Sequence, residues 1–112
     1  GLTPGKHGFH IHEFGDCSAL DYKSAGGHLM AEGEKHAGPN DPNRHVGDMG
    51  NLTADENGNA QLAIIDDKLS FTGPQSIIGR AIIVHLNEDD LTSQPTGNAG
   101  GRVACGTIGI AK

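Results

Sequence analysis

The chain has 112 residues, a length that fits a single domain. Its net charge of −6 and the absence of a basic stripe argue against nucleic acid as a partner. No apolar run is long enough to span a membrane, and no charged-then-apolar signal segment opens the sequence. The 18 glycines and the aromatic content of only 4% favour short strands and tight turns over helices.

The first half of the chain is predicted to form strands before and after one long polar segment. Residues 5–13 form a predicted strand that contains a His-x-His pair. Residues 14–46 are rich in Gly, Pro, Asn and Asp without a sustained period, and so long a loop is normally functional or disordered. Strands are predicted at 47–54 and 60–66, on either side of Asp55-Glu56-Asn57-Gly58, a hairpin turn with Asn-Gly at its tip.

The second half repeats the pattern of strand and polar loop. Ile77 to His85 is a predicted strand, residues 86–101 are a second polar loop, and Arg102 to Ile110 are the last strand. No segment has a helical stripe, and there is no internal repeat or domain boundary. We therefore predict one all-β domain over residues 1–112, with about five strands and two long functional loops.

The histidines near the start of the chain have the spacing of metal ligands on a strand. Alternate side chains of a strand share a face, so His10 and His12 point one way while Phe9 and Ile11 point the other. His85 closes a later apolar strand. Imidazoles held on rigid strands, without a thiolate, suit a copper ion that changes oxidation state.

A second set of possible ligands lies in the long loop. The spacing His28-x7-His36-x8-His45-x2-Asp48 supplies three imidazoles and a carboxylate, which suit a four-coordinate zinc ion. Any one of these histidines alone reads equally well as a surface or hydrogen-bonded residue, but their number in so short a chain favours metal binding. His7 precedes the strand pair by an odd step, and we assign it a structural role in binding loop backbone.

Taken together, the motifs resemble those of the Cu,Zn superoxide dismutases. They occur in the family's order along the whole chain. The matching pieces are Gly5-x-His7-Gly8-Phe9-His10-x-His12-Glu13, Ser24-Ala25-Gly26-Gly27-His28, Lys35-His36-Ala37-Gly38-Pro39, Arg44-His45-Val46-Gly47-Asp48 and Gly97-Asn98-Ala99-Gly100-Gly101-Arg102-Val103-Ala104-Cys105-Gly106. The resemblance implies a Greek-key antiparallel β-sandwich with an immunoglobulin-like architecture, of which this family is itself a standard example.

The resemblance also implies two ligand sets and a reaction. The copper ligands would be His10, His12, His28 and His85. The zinc ligands would be His28, His36, His45 and Asp48. His28 would bridge the two ions, and superoxide would be converted to dioxygen and hydrogen peroxide with a proton from His28.

Asp89 takes a supporting role by resemblance. It matches a carboxylate that hydrogen-bonds the copper ligand His10 and the zinc ligand His36, and such partners fix the orientation of imidazoles. Without the resemblance, Asp89 reads as a solvated loop acid between Glu88 and Asp90.

Arg102 and the two cysteines have further implied roles. Arg102 matches the family's substrate-guiding arginine, a local cation for an anionic substrate in a negative chain, whereas composition alone favours a surface arginine. Cys17 and Cys105 permit one disulfide, whose formation the sequence alone leaves open. By resemblance they form an intrasubunit disulfide that ties the long loop to the strand of Arg102.

Three features depart from the family's pattern. The cysteine five residues after His12 resembles that of bacterial members, which are usually exported, and favours a periplasmic or secreted location over a cytoplasmic one. Leu29-Met30-Ala31 replaces the usual Phe-Asn-Pro. Gly1 aligns just before the His-x-His strand, so the resemblance predicts a domain truncated at its amino terminus.

The predicted truncation has a consequence for partners. The apolar face of Phe9, Ile11, Ile82 and Val84 would be open to water unless another copy or another chain covers it. By resemblance, a homo-oligomer would use the family's usual dimer contact. The residues that match it are Phe14, Ile78 and Ile110.

We therefore expect an oxidoreductase that uses copper and zinc and acts on the superoxide anion. The alternative is a copper- and zinc-binding module, or a copper-chaperone-like domain, without turnover. Chaperone-like domains generally lose copper ligands, whereas this chain has all seven metal-binding positions and Arg102.

Overall fold

The fold is a single four-stranded antiparallel sheet, seen in a computed structural model that describes residues 1–111. In that range the strands are β1 (Gly5–His12), β2 (Asp48–Ala54), β3 (Ala81–His85) and β4 (Arg102–Thr107). Their order in the sheet is β2-β1-β3-β4, and a three-residue 3-10 helix covers Lys23–Ala25. The all-β prediction is confirmed. No helix among the described residues has the length and apolar character needed to cross a membrane.

The register of the strands sets which side chains meet. His10 pairs with Asp48 of β2 on one side and with Ile83 of β3 on the other. Directly opposed residues of neighbouring strands carry their side chains on the same face. His10, and with it His12 two residues further on, therefore shares a face with Asp48. The register between β3 and β4 is irregular between Val84 and His85. After this irregularity, His85 at the end of β3 pairs with Arg102, the first residue of β4.

The predicted strand over residues 60–66 is wrong. The hairpin turn forms, with the Gly58 amide donating to the Asp55 carbonyl at 3.1 Å, but the returning arm makes a single bridge, between Ala60 and Ala54. Leu62 and Ile64 beyond it are about half exposed. Alternating apolar residues are not sufficient for a strand, because backbone amides and carbonyls need a neighbouring strand to pair with, and none of the named strands of the described range extends beside residues 61–66.

Two other predicted strands are shorter than expected. The strand predicted from Ile77 begins only at Ala81, because the Arg80 amide turns back to the Ile77 carbonyl at 3.1 Å. The strand predicted to end at Ile110 ends at Thr107.

Small apolar clusters hold the long loops to the sheet. Ile11 is buried with Leu29, Val46 and Ile77, so the expectation that Ile11 lies open to water is wrong: loop residues cover it. A second cluster of Ala25, Ala81 and Ile83 lies under Cys17, Tyr22 and Cys105. On the face opposite His10, Ile82 remains 39% exposed.

Candidate metal centre

The seven possible ligands come from both the sheet and the long loop. Strand β1 carries His10 and His12, β3 ends with His85, and β2 begins with Asp48. The other three histidines lie between β1 and β2, where an isolated bridge between His12 and His28 fixes the start of the loop. The exposed fraction of every one of the seven is 4% or less. The structure thus brings all seven predicted residues together in the interior.

Four imidazoles present unpaired nitrogens to one another. Among the described residues, one ring nitrogen of each is buried without a hydrogen-bond partner: His10 Nδ1, His12 Nε2, His28 Nε2 and His85 Nε2. The ligand atoms of these residues lie within 4.8 Å of one another. Buried polar atoms are normally paired because leaving them unpaired costs free energy. Four such nitrogens in one place fit a metal ion.

The second ring nitrogen of three of these histidines is already held. Partners of this kind fix the tautomer and the orientation of the ring. The bonds are His10 Nε2 to the Asp89 carboxylate at 2.8 Å, His12 Nδ1 to the Gly26 carbonyl at 2.8 Å and His85 Nδ1 to the Gly100 carbonyl at 3.0 Å.

The second set centres on the Oδ1 atom of Asp48. The Nδ1 atoms of His28 and His36 each lie 2.9 Å from this oxygen, and His45 Nδ1 lies 3.4 Å from it and 3.3 Å from His28 Nδ1. Zinc bound tetrahedrally at about 2.0–2.1 Å separates its ligand atoms by roughly 3.3 Å. These side chains therefore fit a zinc ion.

His10 also lies close to the second set: its ligand atom and those of His28, His36 and Asp48 lie within 4.8 Å of one another. By distance alone, His10 rather than His45 would complete this set. Ring orientation decides between them, because the Nε2 atom of His10 bonds Asp89 and its Nδ1 atom belongs with the unpaired nitrogens of the first set. His45 belongs to the second set through its 3.4 Å approach to Asp48. His28 belongs to both sets, with Nε2 in the first and Nδ1 in the second.

Asp89 belongs to neither set but hydrogen-bonds one histidine of each. Its carboxylate accepts hydrogen bonds from His10 Nε2 at 2.8 Å and from His36 Nε2 at 2.7 Å. The Asn51 side chain holds the Asp89 backbone through two hydrogen bonds. Its Oδ1 atom accepts from the Asp89 amide at 2.8 Å, and its Nδ2 atom donates to the Asp89 carbonyl at 3.0 Å. Gly97 has a φ of +74°, and a Cβ atom there would collide with Asp89 and His36. No sequence pattern pointed to Asn51, and Gly97 was noted only as part of a motif.

The charge states of the histidines differ between the sets. Burial lowers the pKa of His12 to about 2, and it lowers the pKa of His10 to about 4 despite the hydrogen bond to Asp89. Both rings are therefore neutral at neutral pH, with a lone pair free for a metal. Burial also acts to lower the pKa of His36, but the hydrogen bonds to Asp48 and Asp89 raise it to about 9. Metal binding to protonated ligands releases protons. A metal ion that binds at the second set therefore displaces the proton of His36.

Arg102 and the disulfide border the first set. The guanidinium donates to the Tyr22 carbonyl at 2.8 Å and to the Gly26 carbonyl at 2.7 Å. The bond between Cys17 and Cys105 ties this same loop to β4, which confirms the disulfide expected from the resemblance.

His7 bonds backbone and lies outside both sets. Its Nδ1 atom is 2.8 Å from the His85 carbonyl oxygen, and its Nε2 atom is 2.7 Å from the Thr3 carbonyl oxygen. The structural role predicted for it is confirmed.

Comparison with known proteins gives two likenesses. The family model for copper/zinc superoxide dismutase (SODC) matches residues 1–108. A crystal structure of the clock protein EA4 is similar, with a TM-score of 0.91 and 50% sequence identity, over 99% of this chain and 74% of that one. The range matched by the family model includes every residue of the two ligand sets.

Proposed function

Because the chain belongs to the copper/zinc superoxide dismutase family, whose members bind copper and zinc, we propose that it converts superoxide to dioxygen and hydrogen peroxide. The observation that carries the proposal is the convergence of four buried, unpaired imidazole nitrogens beside a second set of ligands that shares His28.

The proposed assignment follows the two sets. Copper is bound by His10, His12, His28 and His85. Zinc is bound by His28, His36, His45 and Asp48. Copper, when bound, supplies the one-electron oxidation and reduction that the reaction needs. The strands hold the imidazoles, and Asp89 keeps the rings of His10 and His36 in fixed orientation.

His28 is the proposed proton donor. Its Nε2 atom faces the same space as the unpaired nitrogens of the first set, while its Nδ1 atom lies 2.9 Å from Asp48. The second nitrogen therefore keeps the ring in place while Nε2 gains and loses a proton.

Arg102 is the proposed anchor for the substrate. Superoxide is an anion and the chain has a net charge of −6, so the protein as a whole repels it. A guanidinium held beside His12 by the Gly26 carbonyl offers a local attraction that offsets this repulsion.

A second candidate is a copper- and zinc-binding or chaperone-like module without turnover. One observation favours keeping it: the similar structure at 50% identity is named as a clock protein, not as an enzyme. The complete ligand sets and Arg102 favour the dismutase.

Superoxide consumption by the metal-loaded protein tests these alternatives. The chain is loaded with copper and zinc, freed of excess metal with a chelator, and assayed beside His12→Gln as a matched variant lacking one copper ligand. We expect catalytic turnover in the wild type and its loss in the variant. One copper and one zinc per chain without turnover would favour the binding module.

We further propose a homodimer that functions outside the cytoplasm, in a periplasm or after secretion. The family suggests the dimer, and Phe14 and Ile110 of its usual contact are well exposed here. The disulfide supports the location because such bonds persist in oxidising compartments.

A further inference from the structure

Glu34 connects two separate parts of the loop between β1 and β2. Its Oε1 atom accepts hydrogen bonds from the Ala31 amide at 2.8 Å and from the Val46 amide at 3.1 Å. Ala31 follows His28 by three residues, and Val46 directly follows His45. A single carboxylate oxygen thus joins the backbone near two members of the second ligand set.

The backbone on the two sides of His45 is held by two different carboxylates. The His45 amide donates to Asp48 Oδ2 at 3.0 Å, and the next amide, that of Val46, donates to Glu34. Val46 is 4% exposed, so its amide has little access to water as a replacement acceptor. Removing a partner from a buried amide leaves the cost of its desolvation uncompensated.

Lys68 fixes the other oxygen of Glu34. Its Nζ atom lies 2.7 Å from Glu34 Oε2 and also donates to the Pro42 carbonyl at 3.0 Å, in the same loop. The Lys68 amide is in turn held by Asp66, which forms a buried ion pair with Arg44. The pair of Glu34 and Lys68 therefore fastens the loop to the chain segment that follows β2.

We propose that Glu34, with Lys68 as its ionic partner, is a positioning residue that pre-organises the zinc-binding loop around His45. The inference rests on the proposed assignment of zinc to the second set. Both residues lie outside the two ligand sets, and their side chains are only 14% (Glu34) and 25% (Lys68) exposed. The effect of Glu34 arises from the amide hydrogen bonds that the carboxylate makes inside the loop.

Zinc release tests this role. The copper- and zinc-loaded wild type is compared with Glu34→Ala, Glu34→Gln and Glu32→Ala, the last removing an exposed charge from the same loop. We expect Glu34→Ala to release zinc to a chelating dye about tenfold faster, at the low end of effects seen for partners that orient metal ligands. Copper release should be unchanged. Glu34→Gln should release zinc only moderately faster than wild type, because its carbonyl oxygen still accepts both amides while the ion pair with Lys68 is lost. Glu32→Ala should match wild type.

Two outcomes would overturn the proposal. One is zinc release from Glu34→Ala at the wild-type rate. The other is equal acceleration of zinc and copper release, which would indicate general destabilisation. If Glu34→Ala does not fold, Lys68→Met should still speed zinc release moderately, and wild-type behaviour there would count against the role.

The test also separates this inference from the proposed activity. Zinc release is measured without superoxide, so a wild type that holds zinc but shows no turnover contradicts the dismutase alone. If the wild type turns over superoxide but releases zinc as fast as Glu34→Ala does, only the role of Glu34 is contradicted. Failure of the wild type to bind zinc contradicts both.

Discussion

Arg102 and His12 donate hydrogen bonds to the same atom, the carbonyl oxygen of Gly26, at 2.7 and 2.8 Å. The guanidinium of β4 is thereby placed next to an imidazole of the first ligand set. Gly26 has a φ of +75°, and a Cβ atom there would press on the ring of Phe14, so the loop reaches this position only with glycine. The shared acceptor makes the position of the cation depend on the loop that the disulfide closes.

The first prediction concerns Arg102→Glu. Reversing this charge replaces attraction for the anion with repulsion, and steering by charge typically changes association rates by about tenfold or more. We expect turnover to fall by at least about tenfold at equal copper content, and the wild-type rate to decrease as ionic strength rises. Lys23→Glu, which makes the same charge change at a side chain 81% exposed, is the control. Equal turnover in Arg102→Glu and the control would contradict the role.

The second prediction concerns the bridging position of His28. Its two ring nitrogens belong to different ligand sets, so metal ions bound in both sets would share one imidazole. With copper in both sites, the two ions should show magnetic exchange by electron paramagnetic resonance. His28→Ala should keep some metal binding and lose this coupling. Two independent copper signals in the wild type would show that His28 does not bridge.

Sequence patterns predicted best where a local period decides the structure. The alternation around His10 and His12 predicted β1 to within one residue of its end, because a strand with one buried face requires that period. The same reasoning failed at 60–66, since alternation shows which side chains can be buried and not whether a partner strand is available. Elsewhere the ends of strands shifted where turns compete for the same backbone groups, as at Arg80.

The groups that support the site were harder to find from the sequence. Asn51 acts through Asp89, which is 38 residues away, and Glu34 acts through Val46 and the distant Lys68. Such contacts depend on how aperiodic loops fold back, and no spacing in the sequence encodes them. The candidate metal ligands were identifiable because imidazoles at these spacings carry a chemical signal of their own.

The third prediction concerns the disulfide. Cys17 and Cys105 are 88 residues apart, and closing so long a loop stabilises the fold by about 4–5 kcal/mol on the chain-entropy model. We expect Cys17→Ser with Cys105→Ser to lower the free energy of unfolding by up to about this amount in urea titrations. The same bond tests the proposed location. Protein from its native source, denatured without reductant, should show no reactive thiols, and two thiols per chain would contradict function outside the cytoplasm.

The fourth prediction concerns acid stability through Asp66. Burial raises the pKa of this carboxyl, but the hydrogen bond from Arg44 and the backbone amides of Lys68 and Leu69 hold it below its usual value of 3.8. A depressed carboxyl pKa gives stability that is complete above the usual pKa and is lost as the pH falls through the folded value.

Asp66→Asn should therefore lower the free energy of unfolding by about 3 kcal/mol at neutral pH, the cost of leaving a buried Arg44 without its partner. The deficit should shrink as the pH falls below 3.8, because the wild type then loses the same interaction. Asp67→Asn, the exposed neighbour, should show neither effect. A deficit that stays constant down to strongly acidic pH would contradict the assignment.

The fifth prediction concerns the exposed apolar surface of β3 and β4. Val84, Leu86 and Val103 line an open cavity of about 390 Å³, and Leu86 and Val103 are 48% and 42% exposed. Contiguous apolar patches on soluble monomers are small and often mark association sites. We expect the 112-residue chain to bind a hydrophobic dye and to self-associate or bind another chain through this surface. Val103→Ser should weaken dye binding, whereas Leu20→Ser, at a fully exposed residue in the disulfide loop, should not. A stable 11.6 kDa monomer in sedimentation that leaves the dye unbound would show that the surface needs no partner.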